Sequence, residues 1–225
     1  MSSITCLALY FDAPLQSWGY ASKFDRRTSL AHPTRSGVIG LLCAALGIAR
    51  EDQAGLQRLD RLRITVFAFR MGGRLVDYHT VGGGYNPKRE PQRICTNAEG
   101  GVRQKKGVSI AALTQREYLE DARFGVVVEG ETGLIDELAS ALQNPVWGVW
   151  LGRKACVPAA RLFEGVFPDE AAAREALQTV AGGETVRCQR TVREVECFAD
   201  GNDSVMDRPL DFAKRRFASR RVLVE

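Results

Sequence analysis

Residues 4–11 alternate and are rich in strand formers, which predicts a first β-strand. Pro14 and Gly19 punctuate a loop after it, and residues 20–31 are polar. The period then changes. Val38, Leu41, Leu42 and Ala45 recur at helical spacing, Pro33 disfavours helix at His32, and Thr34 or Ser36 can cap the start. Gly47 suits the residue just past the helix end. Residues 62–70 predict a second strand, apolar on both faces and therefore central. A short run at 77–81 leads into three glycines, and residues 116–119 and 122–129 predict two more strands.

Thr132 is expected to cap a helix with Leu134, Ile135, Leu138, Ala139 and Leu142 on one face, ended by Asn144-Pro145. Residues 147–154 read as strand or loop with a basic pair, Arg153-Lys154. Asp169 caps a second helix running to Val180. A strand at 186–198, a loop at 201–211 and a last strand at 217–224 complete the chain. The first part therefore runs βαββαβ, an α+β order that fits a ferredoxin-like domain, the scaffold of the RNA-recognition motif. The expected division is a ferredoxin-like domain at 1–160 and a small C-terminal helix with strands at 161–225 packing on it.

Between 82 and 107 apolar residues are few and glycines frequent, so this stretch is expected to protrude as a hairpin or flexible loop. It holds Lys88, Arg89, Arg93, Arg103, Lys105 and Lys106 against two acids. Residues 207–225 hold six basic residues against three acids, while 129–180 hold eight acids against four basic residues. The chain carries only +4 overall, so its charge is segregated, as expected of a surface that meets a polyanion. A hydrophobic content of 45% is ordinary for a globular chain, and no apolar run is long enough for a membrane span. Six scattered cysteines without a CxxC pair read as reduced core thiols of a cytoplasmic protein.

His32 and His79 lack a partner at metal-ligand spacing, and no HExxH, GxSxG or P-loop pattern occurs. No metal or cofactor is expected. Gly37 and Gly40 weaken a helix, so a phosphate approaching the helix start beside Arg35 and Ser36 is one reading, and close core packing is the other. Trp18, beside Gln16, could stack a base or cap the core. His79 with Tyr78, or with a Lys of the 82–107 stretch, could supply the base and acid for metal-free RNA cleavage; the other reading is that Tyr78 stacks or hydrogen-bonds and His79 fixes a turn.

Six motifs occur in order: Ala13-Pro-Leu-Gln-Ser-Trp-Gly19, Pro33-Thr-Arg-Ser-Gly-Val-Ile-Gly-Leu-Leu42, Asp77-Tyr-His-Thr-Val81, Arg116-Glu-Tyr-Leu119, Leu151-Gly-Arg-Lys154 and Arg216-Phe-Ala-Ser-Arg220. Together they resemble the CasD family, the subunit that caps the crRNA 5′ handle in the type I-E CRISPR complex Cascade. The resemblance implies a RAMP body of ferredoxin-like fold with a β-hairpin thumb between the third and fourth motifs. It implies a non-catalytic role in antiviral defence, contacts with the backbone subunit CasC and the large subunit CasA, and target DNA met only through the complex. A related type I-C subunit cuts precursor crRNA with Tyr, Lys and His, and this chain lacks a Lys-His pair in its thumb. On this reading the handle lies against Gln16 and Trp18, the helix start at Arg35, Ser36 and Gly37, and Tyr78 and His79. The thumb cations clamp the RNA, Arg153 and Lys154 bind it as well, and Arg215, Arg216 and Arg220 add phosphate or protein contacts.

Overall fold

The computed structural model describes residues 3–20, 25–82, 104–105, 108–109 and 111–225. The first half of the chain contains β1 (Ile4–Asp12), β2 (Leu15–Gln16), β3 (Arg26–Arg27), α1 (Arg35–Leu46), α2 (Gln53–Leu59), β4 (Arg63–Arg70), β5 (Gly73–Val81), β6 (Gln104–Lys105) and β7 (Val108–Ser109). The second half contains β8 (Ala112–Glu120), β9 (Arg123–Glu131), α3 (Thr132–Gln143), β10 (Phe163–Phe167), α4 (Glu170–Ala181), β11 (Arg190–Val195), β12 (Asp203–Asp211) and β13 (Arg216–Val224). The architecture is α+β, built on a seven-stranded sheet of order β10-β1-β9-β4-β11-β13-β12 in which every pair is antiparallel.

Strand alternation divides the core in two. Leu7, Leu9 and Phe11 of β1 face α1, α2 and α3, together with Ile64, Val66 and Ala68 of β4 and Phe124, Val126 and Val128 of β9. Cys6, Ala8 and Tyr10 face the opposite way, against Ala173, Leu177 and Ala181 of α4. Both faces of β1, β4 and β9 are thus covered, which is why these strands are apolar throughout. The expected central position of residues 62–70 holds: β4 lies between β9 and β11.

The helix ends follow local chemistry. Thr34 caps α1 by accepting the Gly37 N–H, and Gly47 closes it in the left-handed region at φ 75°. Asp169 caps α4 through the Ala172 N–H. Thr132 does not cap α3. It is the first helical residue, and its hydroxyl donates to the Ser3 carbonyl while Glu131 occupies the cap position. Several elements differ from the sequence pattern, among them β10, where no strand was expected. The short α2, capped by Asp52 on Gly55, has too few residues to show a period. Residues 203–211, expected as a loop, form the edge strand β12, where Pro209 is tolerated because it faces no further strand.

A second sheet stands beside the first. In it β5 pairs with β8 over the register from Gly73↔Glu120 to Val81↔Ala112, a nine-residue antiparallel ladder, and most of the stretch expected to form the thumb lies outside the described residues. β2 and β3 line the other edge of β8, and β6 pairs with β7 in the connection. Strands on both sides of residue 160 share the large sheet: β10 lies on β1, and β11–β13 continue it from β4.

Arg35, expected to hold phosphate, and Arg220, expected to contact phosphate or protein, are buried at 2% and 7% exposure. The Arg35 guanidinium donates to the carbonyls of Asp60 and Leu62 and to the Glu194 carboxylate. Arg220 is paired with Asp207, whose carboxylate also accepts the Arg35 backbone N–H at 2.7 Å. Arg208 in turn grips Asp60. These cations are corrected from RNA ligands to a closed internal network, because a cation stripped of water needs fixed anions around it.

Removing one member should be costly. Asp207→Ala is expected to lower the unfolding free energy in urea by about 3–5 kcal/mol, since three N–H donors, one from the Arg35 backbone and two from the Arg220 guanidinium, lose their buried acceptor. Arg216→Ala, at an exposed site, should change it by about 0.5 kcal/mol or less. The Arg208 hydrogen bond holds the Asp60 carboxyl below the usual carboxylate range. Its stabilising contribution is therefore complete above about pH 4 and is lost as pH falls through the folded value. Urea midpoints measured from pH 6 to pH 2.5 should fall in that window, and less steeply in Asp60→Asn.

Candidate nucleic-acid interface

A cleft of about 780 Å³ opens between the 17–20 segment, the outer side of α1, the 147–154 loop and the β12–β13 turn. Arg27, Arg50, Arg153, Lys154 and Arg215 line it, and no Asp or Glu is among its described lining residues. Trp147, Trp150, Phe212 and Phe217 contribute aromatic surface. Cations without carboxylates, interleaved with rings, suit a phosphate backbone carrying bases. Cys43 also lines the cleft, and burial pushes its thiol up to about 11, so it is neutral at physiological pH.

The walls are set by close approaches of backbone. Gly152 sits at φ 98°, and a Cβ there would stand 1.7 Å from the Ser17 carbonyl oxygen, so only glycine fits. The Ser17 N–H donates to the Leu151 carbonyl alongside, joining the loop to the 17–20 segment. The Arg153 guanidinium donates to the carbonyls of Glu117 and Arg27 and lies 4.6 Å from the Tyr118 ring centre. It fastens the loop to β8 and β3 as well as lining the cleft.

The expected site residues divide sharply. Ser36, Gly37, Arg153, Lys154 and Arg215 meet at the cleft, with Lys154 and Arg215 exposed. Gln16 does not serve as a ligand: it is fully buried, and its amide donates to the carbonyls of Phe11 and Ala122. Trp18 touches the cleft but is only 1% exposed, stacks on Phe11 with ring centres 5.4 Å apart, and donates its indole N–H to Gln16. It is a core residue that cannot offer a face to a base. Gly37 is explained by that same ring, since a Cβ there would lie 2.8 Å from it, whereas a Cβ at Gly40 would meet Phe212 at an ordinary 3.8 Å, so packing does not demand glycine there. The expected phosphate seat on the first turn of α1 is also corrected. Asp207 takes the Arg35 N–H and Thr34 takes the Gly37 N–H, so the positive helix end already holds a carboxylate of the chain.

Tyr78 and His79 lie away from the cleft on β5. As neighbours on a strand they point to opposite faces, so they do not form an acid–base pair at one point. Tyr78 is exposed opposite Gln115, and His79 Nδ1 lies 3.3 Å from the Asp77 carboxylate. Arg216 is exposed at the start of β13, in register with Asp211. Lys88, Arg89, Arg93, Arg103 and Lys106 lie outside the described residues, and Lys105 is placed only by its backbone in β6. Among the described residues, no three His, Cys, Asp or Glu side chains are grouped to hold a metal. Sequence reasoning missed Arg50, Trp147 and Trp150 as site residues. The Trp-Gly-Val-Trp spacing was their signal, with a glycine between two large rings.

The family model described as CRISPR-associated protein (Cas_Cas5) matches residues 6–223. The chain belongs to this family. It is 34% identical over 177 residues to "CRISPR system Cascade subunit CasD" of Escherichia coli (strain K12), covering 71% of this chain and 70% of that relative. Among solved structures, a chain of a "CRISPR RNA-guided surveillance complex" superposes with a TM-score of 0.76 at 32% identity, covering 98% of this chain and 89% of its own. A "Crystal structure of Cas protein" gives 0.68 at 32% identity, covering 98% and 93%. The Cas5 fold therefore extends over nearly the whole chain, including β12 and β13, which with their connecting turn complete one wall of the cleft.

Gly152 tests the wall itself. Gly152→Ala is expected to lose about 1–3 kcal/mol of stability in thermal unfolding, because φ and the Ser17 carbonyl both oppose a side chain. Gly133→Ala, in α3 with open space around it, should be neutral or stabilising by up to about 1 kcal/mol.

Proposed function

We propose that this chain is an RNA-binding subunit of a Cascade-type CRISPR surveillance complex, and that it grips the 5′ handle of crRNA. The observation that carries the reading is the acid-free cationic cleft in a chain of the Cas5 family. Arg50, Lys154 and Arg215 hold phosphates, and no acidic residue among the described lining opposes them. The order β10-β1-β9-β4, with α1 following β1 and α3 following β9, supports a ferredoxin-like assignment for the body. The β5–β8 ladder is the base of the thumb that would extend toward the guide. The backbone subunit CasC and the large subunit CasA are the neighbours that the chain would join in the complex.

The role is non-catalytic in this reading. A metal-free ribonuclease needs its base and its proton donor on one face, and Tyr78 and His79 stand on two. Incubation of the purified chain with repeat RNA and a chelator should give no discrete cut. A cut abolished by His79→Ala would replace this reading with an endonuclease.

Binding to a handle RNA should weaken about tenfold in each of Arg50→Gln, Lys154→Gln and Arg215→Gln. The slope of log K against log salt should become shallower by about 0.7 per substitution. Arg174→Gln, on α4 at the other face of the sheet, should leave both quantities unchanged. Unchanged affinity in all three cleft variants would remove the cleft from the interface.

A further inference from the structure

We infer that the 147–150 turn is a stacking subsite for an unpaired nucleobase, formed by the indoles of Trp147 and Trp150. The inference rests on the RNA-binding reading above and specifies what part of the RNA this wall takes.

The backbone carrying the two rings is pinned. The N–H groups of Val146 and Trp147 donate to the carbonyls of Ala45 and Ala44 at the end of α1. The Leu151 N–H donates to the Cys156 carbonyl, and Leu151 itself is fully buried. Val149 packs against the core on the same turn. Trp147 and Trp150 turn outward into the cleft, 47% and 37% exposed. The part of each indole left in water gains nothing for folding, and a flat apolar ligand would cover it. Gly148 makes the arrangement possible: a Cβ there would stand 2.5 Å from Cζ2 of Trp150, so the indole lies directly over the bare α-carbon.

The surroundings select the ligand. Arg50, Arg153 and Lys154 share the cleft with the rings. Their charge opposes a cationic guest on the indole faces, while it favours a flat ring tethered to phosphate. A base within a duplex has its faces covered, so the nucleotide must be unpaired. Stacking tolerates any base, and the subsite therefore positions the strand without reading its sequence.

Fluorescence of the full-length chain tests this. The chain has three tryptophans, and Trp18 is buried, so quenching on binding reports Trp147 and Trp150. A single-stranded RNA octamer should quench the signal. Trp147→Ala and Trp150→Ala should each lose about tenfold in affinity with an unchanged salt slope, and Trp150→Phe should retain most of the binding. Gly148→Ala, which adds no charge and removes no ring, should also weaken binding. An abasic strand of equal length should bind the wild-type chain and both alanine variants alike. If both alanine variants bind RNA as the wild type does while Arg50→Gln weakens it, stacking is overturned and the RNA-binding reading stands. If the wild-type chain binds no RNA, alone or in the assembled complex, both fall. If the alanine variants bind RNA normally but fail to enter the complex, the rings meet protein, and the inference is overturned.

Discussion

Burial of the Arg35 guanidinium is the constraint on which the arrangement of the fold depends. A cation at 2% exposure has surrendered its hydration, and neighbouring groups must replace it. Here they come from distant parts of the chain: Asp60 and Leu62 after α2, Glu194 on β11, and Asp207 on β12 through the backbone N–H. Arg208 and Arg220 balance the remaining negative charge, so three cations face three carboxylates. The guanidinium Nε still lacks an acceptor, so the burial is not fully compensated. Such a network need not add net stability over an apolar core of equal volume. What it does is fix which partners meet. A slipped β12 or a rotated α1 would strand a buried charge.

That fixation reaches the cleft. With Asp207 on its first amide, α1 is held against β12, and its small outward residues Gly37, Gly40 and Ala44 leave the space that the cleft occupies. The network also sorts the basic residues. Arg35 and Arg220 are consumed inside, Arg153 is engaged by two carbonyls, and Arg50, Lys154 and Arg215 have no carboxylate partner among the described residues. Net charge of a segment therefore says little about where an anion binds until the internal pairs have been subtracted.

The apolar periods at 38–45, 62–70 and 134–142 identified α1, β4 and α3, because burial on one or two faces writes itself into the sequence. β12 was hidden for a physical reason. Two of its inward positions are Asp207 and Asp211, and a third is Pro209, so the buried side of an edge strand looks like a turn. Arg35 and Arg220 misled for the converse reason: an arginine paired internally and one awaiting phosphate are the same letter. The glycines told more than the charges did. Gly37 and Gly152 each mark a close approach, one by the Trp18 ring and one by the Ser17 carbonyl, though sequence alone could not say to what. Trp147 and Trp150 were overlooked because a ring's exposure depends on the loop that carries it, here one set by hydrogen bonds from Val146 and Trp147 to Ala45 and Ala44 of α1, far away in sequence.

Arg153 shows how the two halves of the candidate interface are tied mechanically. Its guanidinium spans the Glu117 carbonyl on β8 and the Arg27 carbonyl on β3, while its backbone belongs to the cleft loop. Glu117 also accepts the Ser17 hydroxyl through its carbonyl, and its carboxylate pairs with Arg74 on β5. The loop, the 17–20 segment and the β5–β8 ladder therefore share one residue as a common anchor. A cation placed to bind RNA directly would be screened by salt and free to change rotamer. Held between two carbonyls and a Tyr118 ring, this one instead converts its donors into rigidity, so the cleft and the ladder at 73–81 and 112–120 keep a fixed geometry before any strand arrives. In the proposed interface the cations and rings outside that anchor would do the binding, on a backbone already fixed by hydrogen bonds to α1, β3 and β8.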